Sequence, residues 1–245
     1  MRPTLFVSDL HLSPARPATL AAFEAFCAGK AREAAALYVL GDLFDSWIGD
    51  DQVRERLPGA AARALAGVAA AGVAVHVMPG NRDLLLGARF AADAGGSLLG
   101  DEVVADIAGT PTLLLHGDTL CTGDIAYQDF RNWSHDPQRQ RRFLALPYLV
   151  RKAVVAYVRH RSRRAKAQKT EVIMDVDPTA VEAAFARFGV VRIIHGHTHR
   201  PARHETVNDG RRRERWVLPD WYETGGCLVV DGDGARFGAI PAANG

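Results

Sequence analysis

Residues 190–201 read VVRIIHGHTHRP, an apolar β-branched run followed by three histidines within five residues. A short apolar run that is bounded by glycine is typical of a buried strand that ends in a surface loop. On an extended backbone, residues two apart point to the same side, so we expect His197 and His199 to project together. Two imidazoles on one side at the mouth of a sheet predict a metal site.

Upstream of this stretch, short apolar runs alternate with alanine-rich segments. The runs predict strands at 5–7, 37–40, 73–78 and 113–115. Between them, the alanine-rich segments predict helices at 17–28 and 53–70, closed by Gly29 and Gly72. Strands that are separated by helices of this length indicate α/β units. After residue 200 the pattern changes, and we predict an antiparallel tail with strands at 204–207, 215–218, 228–230 and 237–240.

The composition is that of a soluble globular protein. A length of 245 residues fits one domain, and 48% hydrophobic with 24% charged residues supplies an ordinary core and surface. The three cysteines (Cys27, Cys121 and Cys227) lack ligand-like spacing and are interpreted as reduced thiols of a cytosolic protein. The N-terminus lacks the apolar region of a signal peptide, and no apolar run approaches the roughly 20 residues of a membrane span.

Polar side chains follow the ends of several predicted strands. Because strand ends of an α/β sheet share one edge, we expect these residues to meet there: Asp9, His11, Asp42, Asn81, His116, His197 and His199. Each of these residues alone would be ordinary in a turn, but the seven side chains together offer more ligands than one metal ion needs. Two ions that share a bridging carboxylate would use them all. Mixed nitrogen and oxygen ligands favour Mn or Fe over Mg or Ca, with Zn open, and paired ions are typical of displacement at phosphorus.

Five motifs of the chain resemble, in order, those of the calcineurin-like metallophosphoesterases. They are Asp9-x-His11, Gly41-Asp42-x-x-Asp45, Gly80-Asn81-x-Asp83, His116 and Gly196-His197-x-His199. The resemblance implies an α/β fold with two mixed sheets, arranged as a four-layer α/β/β/α sandwich. It also implies a single domain over residues 1–245, with a helical cap inserted at 124–170. The longer stretches 41–51, 80–83, 116–122 and 195–201 are similar to the branch that hydrolyses UDP-2,3-diacylglucosamine.

The resemblance assigns roles to the strand-end residues. It implies two Mn²⁺ ions, the first held by Asp9, His11 and His199 and the second by Asn81, His116 and His197. Asp42 would bridge the two ions. His195 matches no ligand position and is expected to be structural, and Asp45 is expected to orient its loop or a ligand. The implied reaction is attack of a metal-activated water on the uridyl-side phosphorus, giving 2,3-diacylglucosamine 1-phosphate (lipid X) and UMP. Its catalytic set is Asp9, His11, Asp42, Asn81, Arg82 and His116.

Arg82 departs from the wider family, in which many members carry a histidine after the Gly-Asn pair. A histidine there can protonate an alkoxide leaving group. A phosphate leaving group, with a second pKa of about 6, does not need that proton. An arginine fork can neutralise two neighbouring phosphates, so Arg82 favours a pyrophosphate substrate. The alternative is a surface arginine that only caps its loop.

The stretch from Arg131 to Lys169 is rich in arginine and lysine, and Asp136 is its only acidic residue. Apolar residues recur there at spacings of three and four, which predicts a helix with one apolar face: Leu146, Leu149, Val150, Ala153, Val154, Tyr157 and Val158. Pro147 would kink or restart that helix. Three interpretations are open, namely a lid packed on the core, a helix lying on an anionic membrane, and a wall of a groove for acyl chains.

The resemblance implies that this region is a cap over the substrate. Polar substrate contacts are then expected from Asn81, Arg82, Asp124, Ser162, Lys166, Lys169 and His197. The implied partners are the lipid substrate UDP-2,3-diacylglucosamine and the anionic cytoplasmic face of the inner membrane, with a monomer favoured. Nucleic acid is not expected as a partner, because residues 159–169 contain no aromatic side chains for stacking. The rival functions are another dinuclear-metal phosphodiesterase, acting on nucleotides or nucleic acid, and a non-catalytic scaffold, which usually loses ligands.

Overall fold

Two mixed β-sheets form the centre of the computed structural model, which describes residues 2–166, 175–208, 210–222 and 225–240. Within residues 159–166 only the helical backbone is described. The strands, in chain order, are β1 (Thr4–Val7), β2 (Ala36–Leu40), β3 (Ala74–Met78), β4 (Ser97–Leu98), β5 (Glu102–Ile107), β6 (Thr110–Leu115), β7 (Arg192–His195), β8 (Ala202–Asn208), β9 (Arg211–Val217), β10 (Cys227–Asp231) and β11 (Gly234–Gly238). The helices are α1 (Pro17–Ala28), α2 (Arg56–Ala70), α3 (Ala88–Asp93), α4 (Ile125–Ser134), α5 (Pro137–Leu144), α6 (Tyr148–Lys166) and α7 (Pro178–Phe188).

The first sheet has the strand order β11-β10-β1-β2-β3-β4, and the second has the order β5-β6-β7-β9-β8. Strands β1 to β4 are parallel, and β10 joins them antiparallel to β1. In the second sheet β6, β7 and β9 are parallel, with antiparallel hairpins completing both edges. The carboxyl ends of β1, β2, β3, β6 and β7 therefore lead into the loops that carry the candidate ligands.

Alternate side chains of the central strands fill different cores, because successive residues of a strand face opposite ways. In β1, Leu5 and Val7 pack in the core with α1 and α2, whereas Phe6 faces the second sheet. In β6, Leu114 faces the first sheet, while Leu113 packs toward α7. Three buried clusters therefore separate four layers, and this confirms the predicted α/β/β/α sandwich.

Several predicted elements differ from the structure. The predicted helix at 53–70 is wrong at its start, since Asp50–Arg54 is a 3-10 turn and α2 begins at Arg56. Glu55 is extended between them (φ −71°, ψ 153°), and Pro58 lies in the first turn of α2, where an N–H is not needed. The tail is antiparallel except where β9 runs parallel to β7, and it is divided between the two sheets, since β10 pairs antiparallel with β1 in the first sheet. Strands β4 and β5 and helix α3 were not predicted.

Helices α4, α5 and α6 follow β6 and lie over the sheet edge that carries the candidate ligands. Pro147 stands between α5 and α6, so the helix restarts there. Arg131 of α4 binds Asp118 (Nε to Oδ2, 2.8 Å) and Asp101 (Nη2 to Oδ2, 2.7 Å). At the start of α6, Arg151 is buried and binds Asp51. Charged contacts to the sandwich therefore hold α4 and the start of α6.

Two further predictions concern the thiols and the helices. The thiols of Cys27, Cys121 and Cys227 are all buried, and none forms a disulfide. Among the described helices, none combines the length and the apolar character that crossing a membrane requires.

Candidate metal centre

The candidate ligands lie on strained loops. Six non-glycine residues of the described chain have a positive φ, and five of them are candidate ligands: Asp9 (55°), His11 (47°), Asp42 (52°), His197 (72°) and His199 (56°). Left-handed backbone is uncommon outside glycine, and such strain clusters at functional sites. The prediction that His197 and His199 share one side of an extended backbone is wrong. Their rings instead turn into two separate clusters.

The first cluster joins the loops after β1 and β7. His199 Nε2 lies 3.3 Å from His11 Nε2 and 3.3 Å from Asp9 Oδ1, and His11 Nε2 lies 3.8 Å from the same Asp9 oxygen. Three potential ligand atoms thus converge on one point. They belong to the three residues that the family resemblance assigns to the first ion.

The second cluster joins the loops after β3, β6 and β7. Asn81 Oδ1 lies 2.9 Å from His116 Nε2 and 3.0 Å from His197 Nδ1, and these two ring nitrogens are 3.2 Å apart. The structure again brings together the three residues assigned to one ion.

Asp42 lies between the two clusters. Its Oδ2 is 3.7 Å from His11 Nε2, and its Oδ1 is 3.7 Å from His116 Nε2. Oδ1 also accepts a hydrogen bond from the Arg82 backbone N–H at 2.8 Å. Because one carboxylate oxygen faces each cluster, Asp42 has the geometry of a bridging ligand. All seven predicted ligands are therefore assembled at one edge of the sheets.

The donor atoms fit divalent cations. Asp9 Oδ1 is buried and accepts no hydrogen bond from the described residues, although Oδ2 accepts from Ser8 Oγ (2.7 Å) and His197 N (2.8 Å). His116 donates its Nδ1–H to Leu40 O at 3.0 Å, which leaves the lone pair of Nε2 facing the cluster. An orphaned carboxylate oxygen among imidazoles and an amide oxygen suits a metal that accepts mixed ligands.

Electrostatics agree with this donor set. Burial, together with Asp83 and Asp9, raises the pKa of Asp42 to about 7. Burial alone would lower the pKa of His116, but the carboxylates of Asp42 and Asp9 raise it to about 9. The centre of the site therefore attracts positive charge, which a proton on His116 Nε2 supplies without a metal and which a bound cation would supply in its place. Burial lowers the pKa of His11 to about 3, so that its imidazole is neutral and can act as a ligand.

Glycines allow the ligand loops to approach closely. A Cβ at Gly196 would overlap Ser8 Oγ and Asp9 Oδ2, so only glycine fits before His197. Gly41 has a φ of 86°, and a Cβ there would collide with the His116 ring. Steric contact therefore explains why glycine precedes Asp42 and His197 in these two motifs.

His195 lies outside both clusters. Its Nδ1–H donates to Gly196 O at 2.8 Å, and its Nε2 accepts from Arg215 Nη1 at 3.0 Å. Burial and the Arg215 charge lower its pKa to about 3. Since both ring nitrogens are engaged, His195 is placed to hold the strand end rather than a metal.

A cavity of about 420 Å³ opens beside the second cluster. Asn81, Arg82, His197 and Asp124 line it, together with Asp45. Asp124 also caps α4 by accepting a hydrogen bond from Tyr127 N at 3.0 Å. The apolar part of the lining is formed by Leu84, Leu85, Phe130, Trp133, Phe143, Val154, Val155 and Val158, and α4 and α5 also contribute Tyr127, Ser134, Arg139 and Gln140. Of the other predicted substrate contacts, Lys169 and the side chains of Ser162 and Lys166 lie outside the described residues.

Several neighbours of the site were not singled out from the sequence. Tyr222 packs against His11 and His199, with ring centroids 5.1 Å apart in both pairs. Tyr127 donates its hydroxyl to Asp118 Oδ2 at 2.6 Å, and its ring lies 6.1 Å from that of His197. Asp118 lies within the motif stretch 116–122, so the sequence offered a signal that it is close to the site. Tyr222 follows β9 in an irregular segment, and no local pattern marks it.

Comparisons with known proteins agree with this architecture. The family model described as calcineurin-like phosphoesterase matches residues 2–201. UDP-2,3-diacylglucosamine hydrolase of Xanthomonas campestris pv. campestris (strain 8004) is 49% identical over 238 residues, covering 94% of this chain and 96% of that protein. The protein of the same name from Aromatoleum aromaticum is 48% identical over 239 residues, covering 96% and 97%.

One solved structure extends the comparison to the fold. A dimetal phosphatase from Danio rerio aligns with a TM-score of 0.53 at 14% identity, covering 98% of this chain and 96% of that one. At that identity the likeness concerns the fold alone. Together with the match over residues 2–201, it agrees with the layers and the strand-end loops described above. The chain belongs to the family of calcineurin-like phosphoesterases, whose fold implies the binding of divalent metal.

Proposed function

We propose that this protein hydrolyses the pyrophosphate bond of UDP-2,3-diacylglucosamine, giving lipid X and UMP in lipid A biosynthesis. The observation that carries the proposal is the cavity, whose lining combines polar side chains of the candidate site with a large apolar surface. Asn81, Arg82 and His197 belong to the polar part, and α4, α5 and α6 supply most of the apolar side chains. A diacylated sugar nucleotide has the same two-part character. The relatives that carry this name align over nearly the whole chain, which supports the same substrate here.

The proposed cofactors are two Mn²⁺ ions, with Asp42 bridging them. Asp9, His11 and His199 would hold the first ion, and Asn81, His116 and His197 the second. When bound, such ions lower the pKa of water and offset charge on the phosphorus oxygens. The protein orients these ligands through the hydrogen bonds to Asp9 Oδ2 and from His116 Nδ1.

Arg82 is proposed to act on the substrate itself. Its side chain lines the cavity beside Asn81, and its guanidinium forms no hydrogen bond or ion pair within the described chain. A guanidinium in this position can donate hydrogen bonds to both phosphates of the substrate. Because the leaving group at the uridyl-side phosphorus is itself a phosphate, neutralising its charge replaces the need to protonate it.

Residues 124–170 are proposed to form a cap within one domain spanning residues 1–245. Asp124 faces the cavity and is proposed to bind the polar part of the substrate, together with Ser162, Lys166 and Lys169 farther along the cap. Val154 and Val158 belong to the apolar lining of the cavity, against which the acyl chains would lie. The cap would thus recognise both halves of the substrate.

A second surface of α6 supports the proposal of a membrane partner. Leu149 is 77% exposed and Tyr157 is 62% exposed, and neither lines the cavity. Apolar side chains pointing outward from a basic helix are suited to an anionic lipid surface. We therefore propose that the protein is peripheral on the cytoplasmic face of the inner membrane. A monomer that does not bind nucleic acid remains our proposal on the basis of the sequence.

The test is release of UMP from UDP-2,3-diacylglucosamine by the purified protein with Mn²⁺. Turnover is expected with this substrate and is expected to fall strongly with the same UDP-sugar lacking acyl chains. Asp42→Ala and His116→Ala should abolish it, whereas Asp93→Ala, at an exposed position of α3, should not. Equal turnover of the bare sugar nucleotide would contradict an acyl-binding cavity. Cleavage of only a nucleotide diester or nucleic acid would contradict the substrate.

A further inference from the structure

The histidines of the two clusters are held in different ways. A histidine that binds metal is usually oriented by a hydrogen bond at its other ring nitrogen. His116 follows this pattern through Leu40 O. In the first cluster, by contrast, His11 Nδ1 is buried without a hydrogen-bond partner among the described residues. His199 Nδ1 lies 3.7 Å from Asp220 Oδ2, which is too far for a hydrogen bond. The first cluster therefore needs another means of orienting its imidazoles.

Tyr222 contacts both of these imidazoles. Its ring centroid lies 5.1 Å from that of His11 with an interplanar angle of 25°, a stacked arrangement. It lies 5.1 Å from the centroid of His199, with an interplanar angle of 41°. The two histidines come from loops that are far apart in the sequence, after β1 and after β7. One aromatic ring thus restricts the rotation of both.

Arg16 and the segment before Tyr222 hold this ring in place. Arg16 Cζ lies 4.2 Å from the Tyr222 centroid, and Arg16 Nη2 donates to His11 O at 2.6 Å. Trp221 N donates to Asp9 O at 3.2 Å, and the Trp221 indole is buried against two phenylalanines of α1. Arg16 therefore binds the tyrosine ring and the backbone of the same ligand loop.

We propose that Tyr222, held by Arg16, is a positioning residue that fixes His11 and His199 for the first metal ion. It does so by ring packing in place of a hydrogen bond, stacked on His11 and tilted against His199. The proposal rests on the assignment of ligands to two ions made above. It follows that the affinity of the first ion depends on the Tyr222 ring, whereas the affinity of the second ion does not.

The test measures Mn²⁺ binding to the metal-depleted full chain by electron paramagnetic resonance of the free ion. His197→Ala would retain the first site, and His199→Ala would retain the second. In the His197→Ala background, Tyr222→Leu should weaken binding roughly 10-fold, the low end of the range for losing a support of a metal ligand. In the His199→Ala background, the same substitution should leave binding unchanged.

Two further variants separate the ring from general stability. Tyr222→Phe keeps the ring and should retain first-site affinity. Tyr38→Leu is the matched control and should leave both affinities unchanged. It removes a tyrosine that stacks on a histidine outside the ligand clusters, His76, with ring centroids 4.5 Å apart. Thermal unfolding of the metal-depleted variants checks that each is folded. Tyr222 is 46% exposed, so its loss should not prevent folding.

A double-mutant cycle tests the contribution of Arg16. Arg16→Ala should weaken first-site binding when Tyr222 is present and should have little effect in Tyr222→Leu. Unchanged first-site affinity in Tyr222→Leu, or an equal loss at both sites, would overturn the proposal. Because the readout is binding without substrate, a failure to cleave UDP-2,3-diacylglucosamine would overturn the proposed function and leave this inference standing.

Discussion

The buried carboxylate of Asp83 accepts a hydrogen bond from the backbone N–H of Asp42 at 3.2 Å. The same carboxylate accepts from Gly80 N at 2.7 Å and from Phe44 N at 3.1 Å. These bonds join the loop after β2 to the loop after β3. The first loop carries Asp42 and the second carries Asn81, so Asp83 sets the position of one potential ligand relative to the other.

Replacing Asp83 should therefore cost stability as well as activity. Asp83→Ala leaves three buried N–H groups without an acceptor, at about 1–3 kcal/mol for each unsatisfied group before relaxation. We expect the free energy of unfolding to fall by roughly 2–4 kcal/mol in urea titrations, which is within the range for breaking a buried network. Asp106→Ala is the control, since exposed Asp106 accepts one N–H in a surface turn. Equal losses in the two variants would contradict this role.

Arg82→Gln should lower kcat on UDP-2,3-diacylglucosamine by roughly 100-fold, because the charge that offsets the leaving phosphate is lost, a change of about 2.7 kcal/mol in the barrier. Arg82→Lys should recover part of the rate, since it keeps the charge without the fork. Binding of Mn²⁺ should be unchanged in both variants, because Arg82 supplies no ligand atom. Arg89→Gln makes the same change at an exposed position of α3 and serves as control. An unaffected kcat would mean that Arg82 only caps its loop.

The two surfaces of α6 predict two separable defects. Val154→Asp places a charge in the cavity wall, so KM for the diacylated substrate should rise while binding to anionic vesicles stays unchanged. Leu149→Asp places a charge on the outward surface, so vesicle binding should fall while turnover of a soluble short-chain substrate stays unchanged. Vesicle sedimentation and UMP release measure the two effects. If both variants keep both properties, α6 is simply a lid on the core.

Much of the sandwich could be predicted from local pattern. The continuous apolar runs of β1, β2 and β6 are those of strands buried on both faces, and a polar residue follows each run at the shared sheet edge. Strand β5 was not predicted because its outer face is partly exposed to solvent, as the 45% exposure of Val104 shows. Its alternation with charged residues does not distinguish it from a loop.

The division of ligands between clusters could not be derived from spacing. His197 and His199 separate because both adopt left-handed backbone, which the surrounding loops impose and which is too uncommon outside glycine to be predicted from the sequence. The contact between Arg16 and Tyr222 depends on the crossing of the chain from β9 to β10. Both features are tertiary, so the sequence indicated the ligand set while the orientation of the ligands required the structure.

Glu55 connects the cap to the sandwich in a way that should depend on pH. It accepts hydrogen bonds from the Tyr148 hydroxyl and from Lys152 Nζ (2.8 Å), both at the start of α6. Partial burial raises the pKa of Glu55, but the bonds from Lys152 and Tyr148 outweigh it and hold the pKa below its ordinary value of 4.5.

The pKa of Glu55 is lowered while the start of α6 is docked on the sandwich. At a given pH the carboxylate therefore binds fewer protons in this docked state than in a free state in which the contact is broken. Its contribution to docking is therefore complete above about pH 4.5 and is lost as the pH falls through the lowered pKa. Relative to the intrinsic exchange rate at each pH, the protection of the amides at the start of α6 should fall over that interval in the wild-type chain. In Glu55→Gln this protection should be lower already at pH 6 and should lose this part of its pH dependence. Glu24→Gln, an exposed position of α1, should behave as wild type. Identical exchange profiles for Glu55→Gln and the wild-type chain would show that this contact does not hold the cap.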